Sequence, residues 1–455
     1  MSKFKRYERY KDSGVEWIGE IPEHWELRKI KHIGMLSAGG VNKKIEEGEE
    51  LFKSVHYMDV YRNSGKAIGN DDDYLVVSAT QSQAKNCTLR KGDVLFTSSS
   101  ETPDDIGHAV TISEDLEQTL YGYHLIRLRL DRDIPADYSY RKYMFNNHYF
   151  RSYFSSRTQG ITRYGLKHDD YKEAVVFIPP INEQKIIANF LDQKTAEIDG
   201  LITDKEKLIE LLQEKRQAII TEAVTKGLNP NVRMKDSGVE WIGSIPEHWQ
   251  IIPLKHITNF ISRGNSPEYV EESSIKVINQ ACIYWDELKI ENVKYQYDDI
   301  DFDKLKGKLI KGDLLLNSTG TGTLGRAVVF REDGKYMADS HVTIIRFNKT
   351  RMNEVLAFYL LQTKIYQGYI YNALVTGATN QIELSRERLT GTPMIVPPST
   401  EQQEIVNFLN SKIGQIAILI NEIKTQIHKL EEYRQSLISE AVTGKIDVRD
   451  YVMNN

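Results

Sequence analysis

The chain has 455 residues, 40% of them hydrophobic and 27% charged, with a formal net charge of −5. No apolar run approaches the roughly 20 residues of a membrane span, and the basic start MSKFKRYERYK has no apolar stretch behind it; this excludes a signal peptide and predicts a cytoplasmic protein. The two cysteines, Cys87 and Cys282, lack metal-ligand spacing and read as free thiols of a reducing compartment, while the acidic balance leaves any nucleic-acid contact to local patches or to a partner that supplies positive charge.

Residues 11–25 read KDSGVEWIGEIPEHW and residues 235–249 read KDSGVEWIGSIPEHW, differing only at Glu20 against Ser244. A second echo pairs RQAIITEAVTKG (216–227) with RQSLISEAVTGK (434–445). The chain is therefore one unit written twice, which predicts two globular domains plus shared scaffold. Segments kept alike do one job twice, and segments that drifted do two different jobs. The repeated arm holds Trp17, Trp25, Trp241 and Trp249; these either pin the arm to the fold or form two identical docking sites for two copies of a partner.

In the first copy, SAGGVNKK (37–44) is a polar turn that offers Lys43 and Lys44 to phosphates. KGDVLFTSSSET (91–102) reads as a turn, a buried strand and a hydroxyl-rich loop with Ser98, Ser99, Ser100 and Thr102, a composition suited to phosphates and base edges or to an ordinary strand end. Residues 138–168 carry Arg141, Lys142, Arg151, Arg157, Arg163 and Lys167 and no acid, interleaved with nine tyrosines and phenylalanines. That is the strongest positive patch in the chain. Within it Arg157, Gln159, Thr162, Arg163, Tyr164 and Lys167 are the candidate contacts, because glycines surround them.

Pro179-Pro180 and Pro397-Pro398 end the globular segments. Asn182-Glu183-Gln184 and Thr400-Glu401-Gln402 then read as an N-cap and first turn. Two helices of about 45 residues follow, with heptad-spaced seams. One seam is Leu191, Ile198, Lys205, Leu212 and Ile219, matched by Leu409, Ile416, Ile423, Leu430 and Leu437. The companion seam is Ile187, Lys194, Leu201, Leu208 and Lys215, matched by Ile405, Lys412, Leu419, Gln426 and Tyr433. Helices this long bury such stripes by pairing as a coiled coil. Connectivity makes the pair antiparallel, with each arm beside the end of the other copy's helix.

In the second copy the matched positions carry other chemistry. SRGNSPEY (262–269) offers Arg263, Asn265 and Ser266. KGDLLLNSTGTG (311–322) and its continuation offer Asn317, Ser318, Thr319, Thr321, Thr323 and Arg326. Gly320, Gly322 and Gly325 mimic a dinucleotide fingerprint, but RAVVF after them reads as a strand where that site needs a helix. VTGATNQIEL (375–384) is nearly uncharged and offers Thr379, Asn380 and Gln381; Asn and Gln read adenine, and Arg reads guanine. Unlike chemistry at like places suits two unlike half-sites. No Asn/Asp-Pro-Pro-aromatic element appears, since the double prolines follow Ile178 and Val396; no glycine loop suits phosphates, the histidines lack metal-ligand spacing, and His124 and His341, in matched strand contexts, read as structural.

The arm EWIG.IPEHW, the phrase IPP or VPP followed within two residues by EQ, and the helix ending EAVT, each present twice, resemble the specificity subunit of type I restriction–modification systems. The resemblance spans essentially the whole chain. It implies an α+β chain with two α/β target-recognition domains in pseudo-two-fold arrangement, separated by two long antiparallel α-helices forming a coiled coil. The implied segments are an arm (1–26), a first domain (27–178), a spacer (179–228, helix 182–225), the repeated arm (229–250), a second domain (251–396), and a last spacer with tail (397–455, helix 400–443). It further implies an asymmetric bipartite DNA site, two methyltransferase subunits, and restriction subunits in the same complex. Adenine N6 would be methylated with S-adenosylmethionine held by the partners, with no cofactor in this chain. The competing readings are a self-contained methyltransferase or nuclease, and a coiled-coil scaffold without DNA contact.

Overall fold

The structure, a computed structural model, describes residues 4–63, 65–70, 73–285, 287–376 and 382–451. The chain divides into two compact units, Met1–Lys205 with Thr425–Asn455, and Glu206–Lys424. Both mix helix and strand, and both are built on one frame.

In the first unit the central strand is Val94–Thr97, buried along its length. Val94 and Phe96 enter one core and Leu95 enters another on the opposite face. A strand covered on both faces needs no polar alternation, which explains the apolar run in the sequence. The sheet around it orders Gly34–Ala38, Leu125–Leu130, Val94–Thr97, Ala109–Ile112 and Ala67–Ile68. A second sheet orders Leu75–Ala79, Glu50–Val55, Leu116–Tyr121 and Thr88–Leu89, with Glu50–Val55 and Leu116–Tyr121 parallel.

The second unit repeats the plan. Leu314–Asn317 is its central buried strand, with Leu314 and Leu316 in one core and Leu315 in the other. Its sheets order Thr258–Arg263, Val342–Phe347, Leu314–Asn317 and Ala327–Val329, and Tyr269–Val270, Lys294–Gln296, Ile275–Ile278 and Lys335–Ala338. In each unit the strand that follows the arm pairs with the last strand: Glu26–Lys29 with Val175–Ile178, and Gln250–Pro253 with Pro393–Val396, both antiparallel.

The Lys-Gly-Asp turns brace these frames. Asp93 accepts from Arg129 at 2.8 and 2.6 Å, and Asp313 accepts from Arg346 at 2.7 and 2.8 Å. Both carboxylates are buried, so each turn is fixed by a two-pronged, charge-assisted contact.

The long helices span Ile181–Lys226 and Ser399–Val442, 46 and 44 residues. They begin one residue earlier than the sequence predicts. The Pro180 carbonyl accepts Glu183 N at 2.8 Å and Gln184 N at 3.0 Å, and the Pro398 carbonyl accepts Gln402 N at 2.9 Å. Asn182 and Thr400 therefore lie inside the first turn and are not N-caps.

Within each unit the two helical segments run antiparallel. In the first unit Asp199 pairs with Arg434 at 2.9 Å and Lys205 with Gln426 at 2.7 Å, so numbers rise on one helix as they fall on the other. In the second unit Ile220, Ala223 and Val224 share a core with Ile405, Val406 and Leu409.

The principal seam is inward: Leu191, Ile198, Leu409, Ile416, Ile423 and Leu437 are buried, and Leu212, Ile219 and Leu430 are half-buried. The companion seam holds at Ile187 and Ile405, which are buried, and is corrected beyond them. Leu201, Leu208, Leu419 and Tyr433 are exposed, while Ile202, Ile209, Ile413, Ile420 and Ile427 are half-buried. The second row thus lies four residues after the first, at alternate spacings of four and three.

The repeated motifs act on one another. Trp25 donates to Glu183 at 3.1 Å, with His24 on the other carboxylate oxygen at 2.8 Å. Trp249 and His248 grip Glu401 in the same way. The Gln184 amide accepts from Asp137 N at 2.7 Å and donates to the Pro135 and Pro179 carbonyls at 2.6 and 2.7 Å. The Gln402 amide accepts from Asn353 N at 2.7 Å and donates to the Arg351 and Pro397 carbonyls at 3.0 and 2.8 Å. The Pro-Pro-x-x-Glu-Gln phrase is therefore a clasp: glutamate holds the arm and glutamine holds the domain.

Each arm also lies against a helix end in its own unit. A Cβ on Gly444, at φ +70, would meet Pro22 at 2.4 Å and Trp25 at 3.3 Å, and one on Gly227, at φ +79, would meet Trp249 at 3.1 Å. Trp25 and Trp249 are fully buried, which corrects their reading as partner-binding residues. Trp17 is 43% exposed, stacked on Tyr149 and Tyr153. Trp241 is half-buried against Tyr369 at 4.3 Å.

Candidate nucleic-acid interface

One backbone knot recurs at the end of both central strands. In the first unit Ser98 N donates to the His124 carbonyl at 3.1 Å, and Leu166 N donates to the Ser98 carbonyl at 3.2 Å. In the second, Ser318 N donates to the His341 carbonyl at 2.9 Å, and Leu384 N donates to the Ser318 carbonyl at 2.8 Å. The knot binds three loops that the sequence keeps far apart. Both histidines enter the knot through their backbone carbonyls.

In the first unit the third loop is a hairpin. Gln159 and Gly165 exchange bonds of 3.1 and 3.0 Å, and Ser99–Ser100 pairs with Tyr164–Gly165. Gly160, at φ +143, allows the tip to close, since a Cβ there would lie 2.0 Å from the Arg163 carbonyl. Thr162 and Arg163 are exposed on the tip, and Tyr164 is half-buried on its ladder. Arg157 lies over the Tyr153 ring at 5.0 Å. Lys43, Lys44, Thr102, Gln159 and Lys167 are exposed; Ser98 is half-buried and hydrogen-bonded to the His124 carbonyl. Ser100 is buried and accepts from Thr102 N at 3.2 Å, and the buried Ser99 hydroxyl has no partner among the described residues.

Tyr57, which the sequence does not single out, opens the helical turn after strand Glu50–Val55 and is half-buried. It stacks on Tyr61 at 5.5 Å. Burial, then Arg163 and Lys43, push His124 below the ordinary histidine range, which favours its neutral form.

The basic stretch is only partly a surface. Arg141 donates to the Gly92 carbonyl at 2.7 Å and to the Ala136 carbonyl, and Lys142 pairs with Asp192 at 2.5 Å. Arg151 bonds the His108 ring at 2.7 Å and lies 3.7 Å from Asp105. These three cations brace the fold, and Arg157, Arg163 and Lys167 remain as the outward charge.

The second unit departs further from expectation. Ser318 and Asn317 are fully buried. The Ser318 hydroxyl bonds that of Thr343, and the Asn317 amide donates to the Gln280 carbonyl at 3.1 Å. Asn317 ends the central strand as the equally buried Thr97 does in the first unit, so Asn317 and Ser318 shape the surface from beneath. Arg263 is tied to Glu383 at 3.1 Å and to the Leu384 carbonyl at 3.0 Å, and Asn265 accepts from Gly307 N at 2.6 Å. Both are structural side chains and not open contacts.

Ser266 and Thr321 are exposed, and Thr323 donates to the Thr319 carbonyl at 3.0 Å. Thr319 bonds the His341 ring at 2.9 Å and the Gln280 amide oxygen at 3.3 Å. Arg326 lies over Tyr284 at 5.1 Å. Thr379, Asn380 and Gln381 lie outside the described residues. After the three glycines comes strand Ala327–Val329, as the sequence predicts.

Among the described residues no cluster of His, Cys, Asp and Glu could hold a metal ion, and no helix is long and apolar enough to cross a membrane.

Two equal frames with unlike surfaces on a duplicated α+β chain define the class: a tandem recognition protein. The family described as type I restriction modification DNA specificity domain matches residues 22–211 and 246–429, and the chain belongs to this family. The MjaIX specificity subunit of Methanocaldococcus jannaschii is 25% identical, over 99% of this chain and 99% of the relative. The putative MjaX specificity subunit of the same organism is 24% identical over 95% and 96%. The EcoKI specificity subunit of Escherichia coli K12 is 20% identical over 94% and 90%. A chain solved in work on complex assembly and conformational transition of the type I R-M system matches with a TM-score of 0.69 at 14% identity, covering 94% of this chain and 99% of that one. The HsdS subunit from Thermoanaerobacter tengcongensis matches with a TM-score of 0.50 at 14% identity, covering 94% and 98%. These likenesses establish the fold.

Proposed function

We propose that each unit reads one half of an asymmetric, bipartite site in double-stranded DNA, and that the chain gathers two methyltransferase subunits and restriction subunits around that site. The observation that carries this reading is the shared knot, Ser98–His124–Leu166 and Ser318–His341–Leu384, with different side chains mounted on it. Arginines and tyrosines surround it in one unit, and hydroxyls, an amide and a histidine in the other. Equal frames give equivalent placement, and unequal edges give two different base sequences.

Two identical partners are supported by the repeated helix ends. Ser439, Glu440 and Thr443 line a cleft in the first unit, and their repeat-mates Thr221, Glu222 and Thr225 line one in the second. In this reading the chain is not itself catalytic. The partners hold S-adenosylmethionine and methylate adenine N6, and their positive surfaces compensate this chain's acidity.

Long-read methylation mapping in cells with and without the chain tests this. Adenine methylation at a two-part motif should vanish when the chain is absent; a methylome that persists overturns the reading. The purified chain, given labelled S-adenosylmethionine and DNA, should transfer no methyl group, and transfer would favour a self-contained enzyme.

A further inference from the structure

The pairing of Gln280 and Asn317 in the second unit has no counterpart in the sequence reading, and it goes to specificity. Gln280 follows strand Ile275–Ile278 at the first position of a short helical turn, Gln280–Cys282. Its equivalent in the first unit is Tyr57, which follows strand Glu50–Val55 in the same way: Val55 pairs in parallel with Tyr121, as Ile278 does with Ala338. One frame position thus presents an aromatic ring in one unit and a carboxamide in the other.

Gln280 is held from two sides. The buried Asn317 amide donates to its backbone carbonyl at 3.1 Å and so fixes the turn that carries the side chain. Thr319 donates to its side-chain oxygen at 3.3 Å, and Thr319 is itself bonded to the His341 ring at 2.9 Å. The His341 backbone N–H is anchored on Asp339 at 2.8 Å. Gly320 leaves the room this needs, since a Cβ there would approach the Gln280 oxygen at 3.0 Å. One lone pair of that oxygen stays open, and no described residue accepts from the amide nitrogen. A carboxamide with an open acceptor, an open donor pair and a fixed orientation is the group that recognises adenine N6 and N7 in the major groove.

Resting on the proposed half-site reading, we infer that Gln280 reads an adenine in the half-site of the second unit, with Thr319 and Asn317 as positioning residues. Asn317 then serves recognition from inside the core, without touching DNA.

The test is methylation mapping of cells expressing the full complex with wild-type chain, Gln280→Ala or Gln280→Glu. Gln280→Ala should relax one base pair of one half-site. Gln280→Glu should shift that position from adenine towards cytosine, whose N4 group donates to a carboxylate. The other half-site and the unread gap should not change. Should either variant methylate too little to map, the purified complex is titrated with duplexes carrying each base pair at each position of the wild-type motif. Wild-type discrimination at the Gln280 position should then be about ten- to hundredfold and should collapse towards unity in Gln280→Ala, while other positions keep theirs. An unaltered motif in both variants, or equal loss at every position, overturns the assignment. Removal of the whole chain separates the two levels: motif methylation that survives removal sinks the specificity reading itself, whereas loss on removal with a motif unaltered in both variants sinks only the role of Gln280.

Discussion

The Trp25 indole N–H lies 3.1 Å from the Glu183 carboxylate, 158 positions away, and both side chains are buried. This contact joins the most repeated phrase of the sequence to the first turn of a long helix. Glu183→Ala should strip a buried donor of its acceptor and destabilise the first unit by about 1–3 kcal/mol, with Glu183→Gln costing less. Trp25→Ala, which also empties the pocket beside Gly444, should cost about 3–5 kcal/mol. Chemical denaturation of the three variants against wild type checks the order; equal stability of Glu183→Ala and wild type would show that the clasp contributes nothing.

Arginines close in sequence should behave differently. Arg163 is exposed on the hairpin tip, whereas Arg151 is engaged by His108 and Asp105. Arg163→Ala should leave stability unchanged and lower the slope of log affinity against log salt by about one. Arg151→Ala should destabilise the unit by about 1–3 kcal/mol instead. Salt-series binding of the assembled complex, paired with denaturation, separates the two.

Acid should loosen the first unit through His108. Burial, then the neighbouring Arg151, hold its pKa down at about 4, while Asp105 opposes them and Lys66 adds to the depression. Unfolded histidine titrates near 6.5, so the unfolded state binds the extra proton between these values. This contribution is intact above pH 6.5 and is lost as pH falls towards 4, by up to about 3 kcal/mol. His108→Gln should flatten that stretch of the stability–pH curve, and a curve of unchanged slope would exclude His108 as its source.

Seven residues added to each long helix, between Lys205 and Glu206 and between Lys424 and Thr425, keep the seams in phase. Both half-sites should be retained and the number of unread base pairs should change. A methylome with new half-sites and the old gap would contradict a spacer role for the helices.

The duplication, the two long helices, the buried central strands and the family were legible in the sequence, because each is written locally. A repeat needs only comparison, a seam needs only period, and a strand covered on both faces needs only an apolar run. The side chains that face outward were not legible. Arg141, Arg151 and Arg263 looked like free cations, and each is bound by an acceptor distant in sequence: Gly92 by its carbonyl, His108 by its ring and Glu383 by its carboxylate. Asn317 and Ser318 read as loop residues, yet both are buried at the end of the central strand, and Gln280 carries no local signal because packing alone sets it beside Thr319. Polar chemistry depends on which groups are left over after long-range partners are satisfied, and only the packed chain decides that.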